Sequence, residues 1–531
     1  MLNLAMTLKN TNLFKSLAIQ GTRAMSYTVG EMLIKSGRAF PDKIAVICDG
    51  RQATYRELNA RVNQLAHGLL KNGITKKSRV AILMYNCIEL VEICFALAKV
   101  GIVGIPLNFR LTGSELSSIV EHSDATALLM GEEFESTINQ IKPRLSKVKQ
   151  FITVNKNLHE IDEYHRLIHN QSDSEPEIKV KPEDESFIIY TSGTTGKPKG
   201  VILTHKNHYW NTVNYTIAYQ MNKDDVELAL TPMFHSSTLG RVFTYIFTGA
   251  TFITSPRFDP AHAMELIAQH KVTSITQSPT MYTALLRLPQ KENLRTGSIK
   301  RVVSGAAPIS PEMKDVLAKL FPCAGVFDLY GLTEASPGVT ILTPHDPPEK
   351  VNSVGKPMMS VKIKVVNDDG EELPPGVNGE VICRGPNLMK GYYNNETATQ
   401  EVLKDGWLYT GDVGKVDQDG YLYLTGRKKE IIISGGENIY PAEVEVILER
   451  HPLILEAAVI GVPDGYWGES VKAVVVPKPG KTLTEQEVIE YCKSHLAHYK
   501  KPKSVDFINV LPRNVANKVV KAELLKRYLS K

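Results

Sequence analysis

A loop rich in glycine, hydroxyl groups and lysine follows a buried strand near the middle of the chain, and it constrains the fold more than any other stretch. The apolar run Phe187–Tyr190 predicts the strand, and residues 191–200 then read Thr-Ser-Gly-Thr-Thr-Gly-Lys-Pro-Lys-Gly. Glycines bring bare backbone N–H groups close to a ligand, and hydroxyl and lysine side chains add donors and positive charge. The loop therefore favours a polyanion such as nucleotide phosphates, with a solvated turn between two strands as the alternative. Pro198 after Lys197 excludes a Walker A loop.

Apolar strands alternate with helical segments on both sides of this loop, which predicts parallel sheets covered by helices. The region 155–185 is polar and predicts an exposed linker. The predicted helices are Tyr55–Asn72 and Glu89–Val100, and the predicted strands are Ile44–Cys48, Val80–Met84, Ile102–Pro106, Ala127–Met130, Glu227–Thr231, Thr251–Thr254, Ser274–Gln277, Arg301–Ser304 and Val326–Leu329.

The pattern changes near residue 360 and again near residue 426. Asp-Gly turns at 369–370, 405–406 and 419–420 separate short alternating strands, which predicts an antiparallel or barrel-like subdomain. Beyond Gly426 the sequence predicts a compact α+β unit of about one hundred residues. The predicted fold is α/β, with two largely parallel sheets and a small β subdomain in one large domain, then a small mobile domain. The predicted boundaries are an extension at 1–26, the large domain at 27–426, a hinge at 427–429 and the small domain at 430–531.

Composition narrows the class of protein. A length of 531 residues predicts two or more domains, and 43% hydrophobic with 22% charged residues excludes a disordered or fibrous chain. The net charge of +5 gives no reason to expect nucleic acid, although it slightly favours acidic metabolites. The six cysteines form no CxxC pair and no zinc spacing, so we expect reduced thiols in an intracellular protein.

The apolar region 80–107 is interrupted by Glu89, Glu92 and Lys99, which predicts a buried core segment and no transmembrane span. Peripheral membrane contact stays open. Residues 1–30 carry three basic residues and no acid before Glu31, a faint resemblance to a mitochondrial transit peptide; a frayed or mis-started terminus, with Met25 as an alternative start, is the favoured interpretation. The predicted location is cytoplasmic, or mitochondrial if residues 1–25 are a transit peptide. The sequence carries no signal for an oligomeric state.

The string Tyr190–His205 resembles the phosphate loop of the adenylate-forming enzymes, which include acyl-CoA synthetases, aryl-CoA ligases, firefly-type luciferases and peptide-synthetase adenylation domains. The resemblance covers residues 27–527 and implies that ATP, Mg²⁺ and coenzyme A take part. It implies a phosphate-binding role for Thr191, Ser192, Gly193, Thr194, Thr195, Gly196, Lys197 and Lys199.

Further strings of the same family follow predicted strands, where α/β proteins bind ligands. Tyr330–Glu334 resembles the second core motif, which assigns Thr333 to the α-phosphate and Glu334 to the metal; oxygen from a carboxylate suits Mg²⁺. Ser304–Pro308 resembles the adenine-binding segment. The adenine site is then formed by Gly305, Ala306, Ala307, Asp328, Tyr330 and Gly331.

Two more strings provide the sugar site and the catalytic lysine. Tyr409–Asp412 and Gly426–Lys429 resemble the motifs whose Asp412 and Arg427 bind the ribose. Leu511–Val519 resembles the last motif, in which Lys518 touches the reacting carboxylate and the α-phosphate. The family usually has Gly where this chain has Asn517; Asn tolerates left-handed backbone best among the other residues, so we expect the loop to form.

The acid and the thiol have their own predicted residues. The resemblance places His235 beside the carboxylate of the acid, Lys429 at the hinge, and Gly435 and Gly436 near the pantetheine arm of coenzyme A. Peptide-synthetase adenylation domains usually carry an Asp in this region that pairs with the α-amine of an amino acid. This chain has no Asp between Leu230 and Gly249, so the resemblance disfavours amino acids. No Gly-x-Ser-x-Gly elbow is present, so the acyl group should pass from AMP to the thiol without an acyl-enzyme.

These observations predict an acyl-CoA synthetase for a medium- or long-chain fatty acid. The acid pocket is predicted at Thr238–Val242, Ser304–Ala306 and Gly331–Val339, mostly small or apolar residues, with neither a basic pair for a dicarboxylate nor a polar handle for a phenol. The alternatives are an aryl-CoA ligase for coumarate- or benzoate-like acids, a fatty acyl-AMP ligase serving a carrier protein, and a catalytically inactive nucleotide-binding regulator.

Overall fold

The structure is a computed structural model and describes residues 27–154, 163–191, 198–288, 295–305, 309–434, 437–514 and 518–529. The chain divides into two compact units. The first comprises the described parts of Met1–Leu107, Ser117–Thr216 and Gln220–Phe258, and the second comprises those of Asn108–Leu116, Ile217–Tyr219 and Asp259–Lys531. Within the described residues, no helix combines the length and apolar character needed to cross a membrane.

The first unit contains parallel strands covered by helices. One set of strands lies in the order Lys199–Thr204, Glu185–Thr191, Val103–Pro106, Arg79–Leu83, Ala127–Gly131 and Gln150–Val154, and only the first pair is antiparallel. A second set lies in the order Val226–Leu228, Thr251–Thr254, Ile44–Cys48 and Arg51–Thr54, and only its last pair is antiparallel. The helices of this part include Val29–Ala39, Tyr55–Lys71, Ile88–Val100, Glu135–Ile141, Glu163–Ile168 and Ser236–Thr248, together with most of Gly113–His122 and His205–Ala218.

Local signals and buried ion pairs explain the helices of the first unit. Tyr55–Lys71 begins at a capping box, in which Thr54 and Glu57 satisfy each other's backbone N–H groups. Every residue of Ile88–Val100 is buried. The charges that interrupt this apolar segment are paired: Glu89 binds Arg51 at 2.6 Å, and Glu92 binds Arg61. Pairing is what permits carboxylates in a core.

The described part of the region 155–185, residues 163–185, is more than the exposed linker that its polarity predicts, although much of it is exposed. It contains the helix Glu163–Ile168, whose Tyr164 is buried and donates to Glu92. Glu175 forms a 2.6 Å ion pair with buried Lys99. The polar composition misled the prediction because these polar groups bind the charged groups of the core segment.

The second unit contains a mixed sheet, an antiparallel sheet and a small α+β part. The mixed sheet has the order Ser274–Gln277, Arg301–Gly305, Gly325–Gly331, Gly338–Leu342 and Lys356–Pro357. The antiparallel sheet has the order Lys362–Val366, Gly379–Arg384, Trp407–Val416 and Leu403–Lys404, and Leu422–Arg427 also pairs with Trp407–Val416. Further elements are the helices Pro260–His270, Pro279–Leu286, Pro311–Leu320 and Glu396–Val402, and the short strand Gly391–Tyr392.

The α+β part follows a 3₁₀ turn, Lys428–Glu430. Its strands have the order Glu437–Ile439, Ile432–Ser434, Gly468–Pro477 and Ile454–Asp464, with Ser504–Phe507 parallel to Gly468–Pro477. The helices are Pro441–Glu449, Glu485–His495 and Lys521–Leu529. One apolar cluster, around Val459, Val471 and Val488, lies on one side of the sheet; another, around Val474, Leu511 and Leu524, lies on the other.

The predicted α/β fold class is confirmed. The strands Ile44–Cys48, Thr251–Thr254 and Ser274–Gln277 have the predicted bounds, and the other predicted strands differ at their ends. Glycines at 370, 406 and 420 have φ of +83°, +78° and +86°, as tight Asp-Gly turns require. The domain boundaries at 27–426, 427–429 and 430–531 stay a prediction.

Candidate active site

The predicted phosphate loop is the connection of an antiparallel hairpin. Thr191 pairs with Lys199 as the last residues of its two strands, Glu185–Thr191 and Lys199–Thr204. The register therefore holds both ends of the loop on the sheet. Residues Ser192, Gly193, Thr194, Thr195, Gly196 and Lys197 lie outside the described residues, as do Ala306, Ala307, Gly435 and Gly436.

A second hairpin brings the predicted ribose residues together. The strands Trp407–Val416 and Leu422–Arg427 pair so that Asp412 lies directly opposite Arg427. The Arg427 Nε lies 2.6 Å from Oδ1 of Asp412, and the Tyr330 hydroxyl donates to Oδ2 at 2.6 Å. Tyr330 comes from the end of Gly325–Gly331, so residues from two sheets of the second unit meet at one carboxylate.

Burial sets the electrostatics of this carboxylate. Asp412 is only 6% exposed, and desolvation raises its pKa; Arg427, Tyr330 and Lys518 act in the opposite direction, and Glu430 adds to the rise. Burial and the neighbouring carboxylate also raise the pKa of Tyr330. Each Asp412 oxygen already has one partner, but a carboxylate can accept about four hydrogen bonds, so ribose hydroxyls can be added.

Lys518 lies within electrostatic reach of the same group. It is held by a small backbone clasp: the Lys518 N–H donates to Oδ1 of Asn514 at 2.9 Å, and the Asn514 N–H donates to the Lys518 carbonyl at 2.9 Å. The residue as a whole is exposed, yet desolvation lowers the pKa of its ammonium group. Arg427 lowers this pKa further, while Asp412 and Glu334 raise it. Lys518, Arg427, Asp412 and Glu334 therefore share one electrostatic site within the second unit.

Glu334 lies in the 3₁₀ turn Thr333–Ala335, and a tyrosine orients it. The Tyr392 hydroxyl donates to Oε1 at 2.8 Å, and the Met389 N–H donates to the Glu334 backbone carbonyl at 2.8 Å. The other oxygen, Oε2, accepts no hydrogen bond from the described residues. One oriented carboxylate suits Mg²⁺, which usually takes one or two protein carboxylates and several oxygens from phosphates and water. The residues present thus fit the ion, although the described residues form no cluster of three His, Cys, Asp or Glu.

The remaining predicted residues of the second unit lie along strand ends. Asp328 is buried and forms a 3.0 Å ion pair with Lys314, and desolvation raises its pKa. Gly331 cannot carry a side chain, because a Cβ there would lie 1.8 Å from the Pro337 carbonyl oxygen. Gly305 ends the strand Arg301–Gly305, and Thr333 is half-buried beside Glu334. The lysine partner of Asp328 was not anticipated by the predicted adenine site.

His235 belongs to the first unit. It precedes the helix Ser236–Thr248, is half-buried, and its ring lies 4.3 Å from that of Phe234. The hinge candidate Lys429 is exposed within the 3₁₀ turn Lys428–Glu430. The residues flanking it are paired on different sides: Lys428 binds Asp368 and Glu380, each at 2.9 Å, and Glu430 binds Lys521 at 2.9 Å.

The prediction missed Tyr392, Lys314 and Lys521, the partners of Glu334, Asp328 and Glu430. Each of these three residues is either distant in sequence from its acidic partner or outside the family motifs that guided the prediction. Lys521 also binds Glu445 at 2.8 Å. Its position three residues after Lys518 was a usable signal, because the two share one short segment.

Two models of known families match the chain. The AMP-binding enzyme family model matches residues 33–393, and the model of the AMP-binding enzyme C-terminal domain matches residues 443–518. The chain belongs to the AMP-binding enzyme family. This confirms the resemblance to adenylate-forming enzymes, and the chain is therefore an AMP-forming acid–thiol ligase. Its substrates are a small carboxylic acid, ATP and coenzyme A, and it uses Mg²⁺.

Relatives span almost the whole chain of this AMP-binding enzyme. It is 38% identical over 504 residues to a feruloyl-CoA synthase of Amycolatopsis, covering 94% of this chain and 99% of that one. Among solved structures, a Mycobacterium tuberculosis fatty acyl CoA synthetase is 32% identical with a TM-score of 0.78, covering 95% and 99% of the two chains. The o-succinylbenzoate CoA synthetase of Bacillus subtilis, in complex with ATP and magnesium, is 33% identical with a TM-score of 0.81, covering 93% and 99%.

Proposed function

We propose that this ligase forms an acyl-adenylate with Lys518 as its electrostatic catalyst, and then transfers the acyl group to coenzyme A. The observation that carries the proposal is the meeting of Lys518, Arg427, Asp412 and Glu334 in one site. A carboxylate oxygen of the acid attacks the α-phosphorus of ATP, and the bond to pyrophosphate breaks. The thiolate of coenzyme A then attacks the acyl carbonyl, and AMP leaves with the electrons of the mixed anhydride bond.

The first step brings a carboxylate towards a polyanion, so it needs cations that already lie in position. Lys518 supplies one such cation, and two hydrogen bonds with Asn514 hold its backbone in place. Asp412 and Arg427 fix the nucleoside, and Tyr330 holds the Asp412 carboxylate in place. Glu334 would hold Mg²⁺, which would neutralise phosphate charge when bound. His235 is proposed to contact the acid carboxylate.

The ion pairs around the turn Lys428–Glu430 support a pivot at Lys429. Lys428 is tied to the antiparallel sheet through Asp368 and Glu380, and Glu430 is tied to the small α+β part through Lys521. The backbone between these two anchors must absorb any rotation of that part. Such a rotation would withdraw Lys518, because Lys518 and Lys521 belong to one segment, and so free the site for the thiol.

Two classes of acid are supported. A medium- or long-chain fatty acid is the prediction from sequence, and one similar structure is a fatty acyl CoA synthetase. An aromatic acid is the second candidate, because relatives of 38% and 36% identity are a feruloyl-CoA synthase and an indoleacetate–CoA ligase. We test the reaction by assaying a panel of fatty and aromatic acids with ATP and coenzyme A. We expect AMP, pyrophosphate and acyl-CoA in equal amounts; accumulation of acyl-AMP without thioester would indicate a carrier-protein acceptor.

Lys521→Met should slow adenylation about tenfold, because small displacements of a catalytic group are costly. Burial opposes the charge of Lys521, but Glu445 and Glu430 raise its pKa, so the lysine stays charged between them. Removing the Lys521 ammonium group leaves Glu430 without this partner near Asp412. It also removes the ion pairs that hold the chain just after Lys518. Lys521→Arg should restore most of the rate. Rates of pyrophosphate exchange and of thioester formation from supplied acyl-AMP measure the two steps.

The exposed Lys526 on the same helix provides the control. Lys526→Met should keep the wild-type rate. If Lys521→Met lowers the melting temperature but leaves the rate and pH profile of adenylation unchanged, Lys521 has only a structural role.

A further inference from the structure

A segment of the second unit holds the backbone of the 3₁₀ turn that carries Glu334. The Asn387 side-chain amide donates to the carbonyls of Ala335 and Gly338, at 2.7 and 2.8 Å, and Asn387 is completely buried. The Met389 N–H donates to the Glu334 carbonyl at 2.8 Å. Three hydrogen bonds to neighbouring parts of one turn fix its backbone, so the Glu334 side chain starts from a defined position.

Tyr392 then fixes the carboxylate itself. Its hydroxyl donates to Oε1 of Glu334 at 2.8 Å. The tyrosine is anchored in turn, because its backbone N–H donates to the Thr399 hydroxyl at 2.9 Å, and that hydroxyl donates to the Asn395 carbonyl at 2.8 Å. Thr399 belongs to the helix Glu396–Val402, so this helix sets the position of the Tyr392 backbone.

The two oxygens of the Glu334 carboxylate are therefore unequal. Oε1 accepts the hydrogen bond from Tyr392, whereas Oε2 accepts none from the residues that the structure describes. A carboxylate binds a cation through one oxygen or through both, and the second mode needs both oxygens turned towards the ion. The tyrosine bond engages Oε1, so it favours binding through Oε2 alone.

The number of oxygens that a carboxylate offers matters for the identity of the ion. Mg²⁺ is small, requires a nearly regular octahedron, and usually takes one or two protein carboxylates with waters and phosphate oxygens in the other positions. Ca²⁺ is larger, takes about six to eight oxygens, and accepts a carboxylate through one oxygen or both. A carboxylate limited to one oxygen meets the requirement of Mg²⁺ and withholds a ligand atom that Ca²⁺ could use.

We propose that Tyr392 is a positioning residue that restricts Glu334 to one metal-binding oxygen and so makes the site select Mg²⁺ over Ca²⁺. The inference rests on the proposed function, because it requires that Glu334 holds the ion that accompanies ATP. Tyr392 acts through the carboxylate and not on the reacting atoms. Its loss should therefore change the preference between the two ions, whereas the loss of a residue with only a structural role would leave that preference unchanged.

ATP binding in the absence of the acid tests the inference without turnover. We titrate ATP into the full chain by calorimetry with Mg²⁺, with Ca²⁺ and with a chelator of both, and take the gain in affinity that each ion gives. In the wild type the gain should be larger with Mg²⁺. In Tyr392→Phe the gain with Mg²⁺ should fall about tenfold, a usual cost of losing a hydrogen bond to a metal ligand, while the gain with Ca²⁺ should fall less or rise.

Tyr423→Phe provides the matched control, because the Tyr423 hydroxyl donates to Asp417 at 3.2 Å and not to Glu334. This variant should keep both wild-type gains. Equal gains with the two ions in the wild type overturn the inference, as does an equal or larger loss with Ca²⁺ in Tyr392→Phe. If Tyr392→Phe fails to fold, Glu334→Asp takes its place, since the shorter side chain withdraws the carboxylate from the hydroxyl; an unchanged preference between the ions then overturns the inference.

A second variant separates this inference from the proposed function. Glu334→Gln removes the charge of the carboxylate, so the gain in ATP affinity should largely disappear with either ion. Gains that persist in Glu334→Gln refute the assignment of Mg²⁺ to Glu334. Gains that disappear there, together with an unchanged preference in Tyr392→Phe, leave that assignment intact and overturn only the role of Tyr392.

Discussion

Lys518→Ala should slow acyl-AMP formation by about two to three orders of magnitude while leaving thioester formation from supplied acyl-AMP within about threefold of wild type. Removing one preorganised donor at a site of developing charge typically costs this much. The lysine lies close enough to Arg427, Asp412 and Glu334 for their charges to shift its pKa. Acyl-AMP formation brings a negatively charged carboxylate up to the phosphates of ATP, whereas thioester formation does not. Only acyl-AMP formation should therefore need the Lys518 ammonium group.

The two steps are measured separately, by isotope exchange between pyrophosphate and ATP and by thioester formation from acyl-AMP. Lys526→Ala, on the nearby helix Lys521–Leu529, provides a lysine-to-alanine control and should show wild-type rates in both. Equal loss in both steps would contradict the proposed role. A wild-type rate of pyrophosphate release in Lys518→Ala would revive the inactive-regulator alternative.

The pH dependence has a definite sign. Desolvation and Arg427 lower the pKa of Lys518 from 10.5, and the ammonium form is the active one. Adenylation should therefore fall as pH rises through this lowered pKa, at a lower pH than an ordinary lysine would give. Lys518→Ala should lose that alkaline limb of the profile. An alkaline limb that persists in the variant would assign the titration to another group.

The site shows what one sequence can and cannot specify. The strings at Tyr330, Asp412 and Arg427 were identified from their residues, but their distances depend on strand register. Asp412 and Arg427 are 15 positions apart and become cross-strand neighbours only because the intervening turn sets a particular pairing. The pairing of Tyr392 with Glu334, 58 positions apart, has no local signal at all.

Polar composition was the main source of error, in the region 155–185. Its described part holds buried Tyr164 and the ion-pair partner of buried Lys99, Glu175, where the composition predicts an exposed linker. A hydrophobic pattern assigns polar residues to the surface. It therefore misses polar residues that are buried together with a partner of opposite charge. Here Glu92 pairs with Arg61 and Lys99 with Glu175, which makes the burial of these charges tolerable. The buried segment 80–107 was predicted, but the partners of its charges were not.

Asp412→Asn should raise the KM for ATP and lower kcat/KM about a hundredfold, because truncating one partner of a hydrogen-bonded charge pair typically costs 2–5 kcal/mol in binding. Asparagine keeps the size of the side chain and an oxygen for Tyr330, but it removes the charge opposite Arg427.

The stability of the fold should respond differently to this substitution. Because burial raises the pKa of Asp412, its ionised form is favoured less in the folded than in the unfolded chain, so its contribution to stability decreases as pH rises.

Asp412→Asn should therefore melt no lower than wild type near pH 7, since Arg427 is 46% exposed and water can solvate it after its partner is lost. Loss of ATP affinity without loss of stability is the signature of a residue kept for function. Asp417→Asn on the same hairpin is the matched control: Asp417 pairs with Lys350, and the variant should keep the wild-type KM for ATP. A large drop in the melting temperature of Asp412→Asn, with wild-type affinity for ATP, would contradict this prediction. The Asp412–Arg427 pair would then stabilise the fold, and the nucleoside would bind elsewhere.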